Sequence, residues 1–198
     1  MNDTKVHSNM TLDSKYAQFV KMLALSNDSR IFLNSDEDHA LAVLVELFQG
    51  AQSCVRIFAG CLCKHVGNRP EYISALSDFI ERGGTVKILL NAFDEEAAKD
   101  SNLFKRLAYY QSSGNPVYIK KSLAHPYRTK DPEKKEVHFT IGDYTSYRLE
   151  TDINQRTAEC SFNSPEIAKN TADFFDSLFS RPDVEDIDIK RLFDYDDK

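Results

Sequence analysis

Ala75-Leu76-Ser77-Asp78-Phe79-Ile80-Glu81-Arg82-Gly83-Gly84-Thr85-Val86-Lys87-Ile88-Leu89-Leu90 changes its hydrophobic period at the two glycines. Before them, Ile73, Leu76, Phe79 and Ile80 recur at three- and four-residue spacing, which places them on one face of a helix opened by Pro70 in its first turn. Gly83-Gly84 is a helix stop, and Thr85 to Leu90 is a strand rich in branched residues. Upstream, Cys54-Val55-Arg56-Ile57-Phe58-Ala59 reads as a second such strand. The order is therefore β-α-β, and a crossover through a helix predicts that the two strands are parallel.

Working outward, Leu12, Tyr16, Phe19, Val20 and Leu23 predict an amphipathic helix over 12–25, and Arg30 to Leu33 a short strand. Ser35 with Asp38 forms a start resembling a capping box for a helix carrying Leu41, Leu44, Leu47 and Phe48, stopped at Gly50. On the other side, Leu103, Phe104, Leu107 and Tyr110 line a helix that turns at Gly114-Asn115-Pro116 into the strand Val117 to Lys120. Val137 to Ile141 and Ser146 to Glu150 read as a hairpin joined by Gly142-Asp143-Tyr144-Thr145, and Thr157 to Phe162 as a further strand. Ser164-Pro165-Glu166 starts a helix whose face carries Ile167, Thr171, Phe174, Phe175, Leu178 and Phe179. The expected class is α/β: a mixed, mainly parallel sheet flanked by helices over 30–180, with a helical extension over 1–29. An acidic tail over 181–198 holds seven acids and four bases, and is expected to pack loosely or to serve a partner.

Twenty-five Lys and Arg against 31 Asp and Glu give a formal charge of −6, which argues against a surface that binds nucleic acid everywhere. A local basic groove remains compatible with it. The first residues lack a basic start followed by an apolar run, and no stretch approaches the roughly 20 apolar residues of a membrane span. Cys54, Cys61, Cys63 and Cys160 sit in apolar or strand-like surroundings that suit reduced thiols, and a cytoplasmic location is expected. Cys61-Leu62-Cys63-Lys64-His65 does not have the spacing of a common structural zinc site, so no metal and no cofactor are expected.

Three stretches together resemble one repeat of the phospholipase D-like superfamily: Val55 to Phe58 after an amphipathic helix, Ala75 to Leu90, and Ala158-Glu159-Cys160-Ser161-Phe162-Asn163 leading into the Phe174-Phe175 helix. The resemblance implies a phosphodiesterase built on His-x-Lys followed, after four intervening residues, by Asp. In that motif the histidine is the nucleophile, the lysine binds phosphate and the acid orients the histidine. Two motifs meet at one site, within a double-length chain or across a homodimer, so a homo-oligomer is implied here.

The corresponding segment is Lys135-Glu136-Val137-His138-Phe139-Thr140-Ile141-Gly142-Asp143. With Asp143 at the family acid, His138 falls on the lysine position and Glu136 on the histidine position. With His138 at the family histidine, Thr140 replaces the lysine and Asp143 arrives two residues early. Both registrations lose the lysine. His138 and Asp143 are the catalytic candidates, and a binding or assembly module with impaired catalysis is the expected function.

Arg148 and Glu150 share one strand face near His138, where they form either a phosphate or carboxylate pocket or a plain cross-strand ion pair. The loop from Lys120 to Lys135 has six Lys or Arg against two acids; Lys120, Lys121 and Arg128 are candidate ligands for nucleic acid or a phosphorylated molecule, or a solvated surface. A substitute base from this loop would restore a phosphodiesterase or nuclease. The N-terminal helix and acidic tail also admit a protein partner, as in a subunit of a larger bacterial defence or toxin-related complex.

Overall fold

The computed structural model describes residues 12–128 and 131–193. Residues 1–11 of the expected extension, Thr129 and Lys130 of the basic loop, and 194–198 of the tail lie outside the described residues. The elements follow in order as α1 (Leu12–Leu25), β1 (Phe32–Asn34), α2 (Glu37–Gly50), β2 (Cys54–Ala59), α3 (Pro70–Glu81), β3 (Thr85–Leu90), α4 (Glu95–Lys99), α5 (Asn102–Ser112), β4 (Val117–Lys121), β5 (Phe139–Gly142), β6 (Ser146–Asp152), β7 (Thr157–Ser161), α6 (Pro165–Phe179) and β8 (Glu185–Asp186). The eight strands form one mixed sheet in the order β1-β7-β6-β5-β2-β3-β4-β8. β2, β3 and β4 are parallel and the other pairs antiparallel.

The glycine pair ends α3 for two separate reasons. Gly83 has φ +92, a conformation that costs a side chain about 1–2 kcal/mol. A methyl on Gly84 would come within 2.3 Å of the Phe79 ring. Gly83 N–H bonds to the Ile80 carbonyl and Gly84 N–H to the Phe79 carbonyl, closing the helix end and turning the chain into β3.

Each face of the sheet has its own core. Val55, Ile57, Val86, Ile88 and Ile119 pack under α2, α3 and α5, with α1 laid on α2 through Val20 and Leu23. Phe58, Leu89, Phe139, Ile141 and Tyr147 pack under Ala168, Ala172 and Phe175 of α6. Period-two alternation sends successive side chains of one strand to the two cores.

Four expectations change. The sheet is mixed, but five of its seven strand pairings are antiparallel, so it is not mainly parallel. The cap of α2 is Asp36, whose carboxylate accepts from His39 N–H, one residue later than the Ser35 start. Cys61 and Cys63 form a disulfide, in place of reduced thiols, which removes both from a zinc reading; Cys54 and Cys160 are free. The described part of the tail is built into the body: β8 pairs with β4, and Ile189 is fully buried in a 3-10 turn against α5.

Candidate active site

β5 runs antiparallel to β2 and begins where β2 ends, so His138, just before β5, stands at the carboxyl ends of β2 and β3. Ligands in open α/β sheets bind outside such strand ends. Phe139 and Ile141 point into the α6 core, which sends His138 and Thr140 to the opposite face. Across the hairpin, Thr140 pairs with Arg148, and Glu150 N–H bonds to the His138 carbonyl. Arg148 and Glu150 are therefore brought beside His138. A cavity of about 400 Å³ opens here between the strand ends and the 60–67 loop, lined among others by Gly60, Lys64, His138, Arg148, Glu150 and Arg156.

His138 is bracketed by two carboxylates. On the cavity side its Nδ1 lies 3.3 Å from Glu150 Oε2, a charge contact too poorly aligned for a good hydrogen bond. Glu150 is buried and accepts from Arg148 Nη1 at 3.0 Å, with Arg156 Nη1 at 3.9 Å. Burial pushes the Glu150 carboxyl up, but the attraction of His138 and Arg148 outweighs it and holds the group below the ordinary carboxylate value. Arg148 also donates from Nε to Asn34 Oδ1 at 3.0 Å and from Nη2 to the Arg156 carbonyl at 3.3 Å. The guanidinium is thus engaged on each of its nitrogens.

On the other side, His138 Nε2 lies 3.1 Å from Glu136 Oε1, which also accepts from Asn91 Nδ2 at 2.6 Å. Glu136 Oε2 is 2.7 Å from His125 Nδ1. Burial raises Glu136, and the hydrogen bonds from Asn91 and His125 with the charge of His138 more than offset it, leaving the carboxyl below its ordinary value. Of the two contacts only the one to Glu136 has hydrogen-bond geometry, and it takes a hydrogen on Nε2.

The remaining sequence candidates lie elsewhere. Asp143 sits at the far end of β5, and its carboxylate accepts from the backbone N–H groups of Gln52, Ser53 and Cys54 at 2.8–2.9 Å. It does not meet His138, so the acid of the expected pair is a structural cap. Lys120 is on the α6 face, over the Phe179 ring at 4.8 Å and 3.5 Å from Asp186. Lys121 is exposed at the end of β4, and Arg128 reaches Glu159 on β7 at 3.4 Å. None of the three lines the cavity, so the substitute base expected from this loop is not supplied by them. From this loop it is His125, itself outside the cavity lining, that reaches Glu136.

Asn34, Asn91 and Arg156 were not singled out by sequence. Asn34 and Asn91 sit at the ends of β1 and β3, and that position was the available signal for Asn91. Arg156, in the β6–β7 turn, had none.

This arrangement defines an α/β domain with a histidine-centred site at the carboxyl ends of its parallel strands. Its fold is phospholipase D-like. Nuc from Salmonella typhimurium, a phospholipase D family member, superposes with TM-score 0.52 at 14% identity, over 80% of this chain and 99% of its own. NucT from Helicobacter pylori gives 0.53 at 12% identity, over 81% and 100%. TrmBL2, an archaeal chromatin protein with a novel mode of DNA binding, gives 0.54 at 12% identity; the similarity covers 86% of this chain and 60% of that one. No family model matches the sequence, and no curated protein matches it.

Proposed function

We propose that this phospholipase D-like domain binds a phosphorylated ligand at His138 without the family's turnover. The observation that carries the reading is the bracketing of His138: Glu150 lies beside Nδ1 and Glu136 occupies Nε2, so in the free chain no ring nitrogen is open to phosphorus. With His138 at the family histidine, Thr140 supplies no charge where the resemblance calls for lysine. Arg148, its cross-strand partner, is committed to Glu150, Asn34 and a backbone carbonyl. A homodimer belongs to the proposal on the resemblance alone, and light scattering reads it directly.

The assay is hydrolysis of single-stranded DNA, RNA, phosphodiester lipid and a chromogenic phosphodiester by the full chain and by His138→Ala. The expected result is no difference between the two. Turnover lost in His138→Ala would establish the second reading, a phosphodiesterase, which the register favours in one respect: Arg148 places a cation directly across from Thr140.

A further inference from the structure

Three nitrogen donors from three separate segments converge on one carboxylate. Asn91 follows β3, His125 belongs to the loop after β4, and His138 precedes β5; all three hydrogen-bond Glu136 at 2.6, 2.7 and 3.1 Å. Each of these segments also ties back to the frame. Asn91 Nδ2 holds the Ala124 carbonyl at 3.0 Å and lies 3.3 Å from His125 Nδ1, and Asn91 N–H bonds to the Ala59 carbonyl. Glu136 lies outside the named strands, where its backbone forms a bridge to Tyr127. Its side chain is 28% exposed and that of His125 67%, so solvent reaches both.

We infer that Asn91, His125 and His138 form an oxyanion seat for a phosphate monoester, and that Glu136 is an internal plug that fills it in the free chain. The inference rests on the proposed binding function and says how that site is kept closed. A carboxylate presents two acceptor oxygens to the three donors, whereas a phosphate monoester presents three and carries up to two charges. The dianion therefore offers each donor its own oxygen, and it competes with Glu136 only after the carboxylate swings toward solvent. A diester, with one charge and two free oxygens, has no such advantage over Glu136. Displacing the plug turns His138 Nε2 from Glu136 to the phosphate, while Nδ1 stays on the Glu150 side of the ring.

Inorganic phosphate is the probe, and proton NMR of the histidine ring signals in the full chain at pH 7 is the readout. Phosphate should move the His125 and His138 signals together with one weak dissociation constant, leaving His39 and His65 in place. In Glu136→Ala and Glu136→Gln, phosphate should bind about ten-fold or more tightly, the equivalent of one net hydrogen bond to a charged group. Asn91→Ala in the Glu136→Ala background should reverse that gain, and dimethyl phosphate should show none. Unchanged affinity in a variant that melts like the unmodified chain overturns the plug. If both variants unfold, the unmodified chain still decides: His125 and His138 signals indifferent to saturating phosphate overturn the seat. Inorganic phosphate has no ester to cleave, so this outcome is independent of whether the diester assay detects turnover.

Discussion

Asp143 holds the sharp end of the β5–β6 hairpin at φ +52, a conformation that Asp and Asn tolerate better than other side chains. Its two oxygens cover three consecutive N–H groups where the chain enters β2, and its own N–H bonds to the Cys54 carbonyl. Asp143→Ala should cost about 1–3 kcal/mol, since it uncovers partly shielded donors and puts alanine at positive φ. Asp143→Asn keeps one acceptor oxygen and the φ tolerance, and should cost about half as much. Urea denaturation checks both, and the response of His125 and His138 to phosphate should be untouched, because Asp143 is at the opposite strand end. The motif reading went astray here for a physical reason: spacing along β5 fixes face and distance, and five residues of strand separate His138 from Asp143 by about 16 Å. The same alternation did make the neighbourhood of His138, Arg148 and Glu150 legible. Asn91 and His125 were not, because their approach to Glu136 depends on how loops fold over strand ends.

Elements were more legible than site residues, because burial imposes a period on a whole helix or strand and no such rule governs one polar side chain. α6 illustrates both sides. Its start at Ser164-Pro165 and its aromatic face were visible, but the device that locks it to the sheet was not. Asp176 on α6 accepts from Arg56 Nη2 at 2.8 Å and Nε at 3.1 Å, and from Lys87 Nζ at 3.0 Å. Arg56 is 4% exposed, so removing its partner strands a buried cation. A fully buried pair broken in this way costs roughly 3–5 kcal/mol. Asp176 is 31% exposed, and solvent screening brings the expected cost of Asp176→Asn to about 2–3 kcal/mol. Burial raises the Asp176 carboxyl, but hydrogen bonds from Arg56 and Lys87 outweigh it and hold the group below its ordinary 3.8. A carboxyl depressed in the fold takes up its proton more readily when unfolded, so its stabilisation is complete above 3.8 and is lost as pH falls through the lower folded value. The stability gap between the unmodified chain and Asp176→Asn should therefore stay level from about pH 7 to 5 and close below about pH 4. A gap independent of pH down to acid unfolding would show that the ion pairs are not its source.

At the scale of the molecule, the two sheet edges are finished differently, and the acidic tail is the reason. β1 is an edge of three residues with Leu33 69% exposed. The β4 edge is covered by β8, whose Glu185 and Asp186 are both exposed, an arrangement of short strand and charge that discourages pairing with another chain. Charge count alone makes this tail look solvated, but its apolar residues anchor it: Ile187 N–H bonds to the Ile119 carbonyl, Ile189 is fully buried against α5, and Val184 is buried beside α6. Burying side chains of this size contributes about 1.5–3 kcal/mol each, a large share of the roughly 5–15 kcal/mol that holds a domain folded. A chain ending at Asp183 should lose at least about 3 kcal/mol by urea denaturation and expose β4 as a bare edge, so it should also aggregate as it is concentrated. Ile189→Ala separates the two effects, because it creates a cavity costing about 2–5 kcal/mol while leaving β8 in place, and it should be destabilised yet monodisperse. Glu185→Ala, which removes an exposed charge and no packing, should stay within about 0.5 kcal/mol of the unmodified chain. A truncated chain as stable and as soluble as the full one would mean that the acidic segment is an appendage after all.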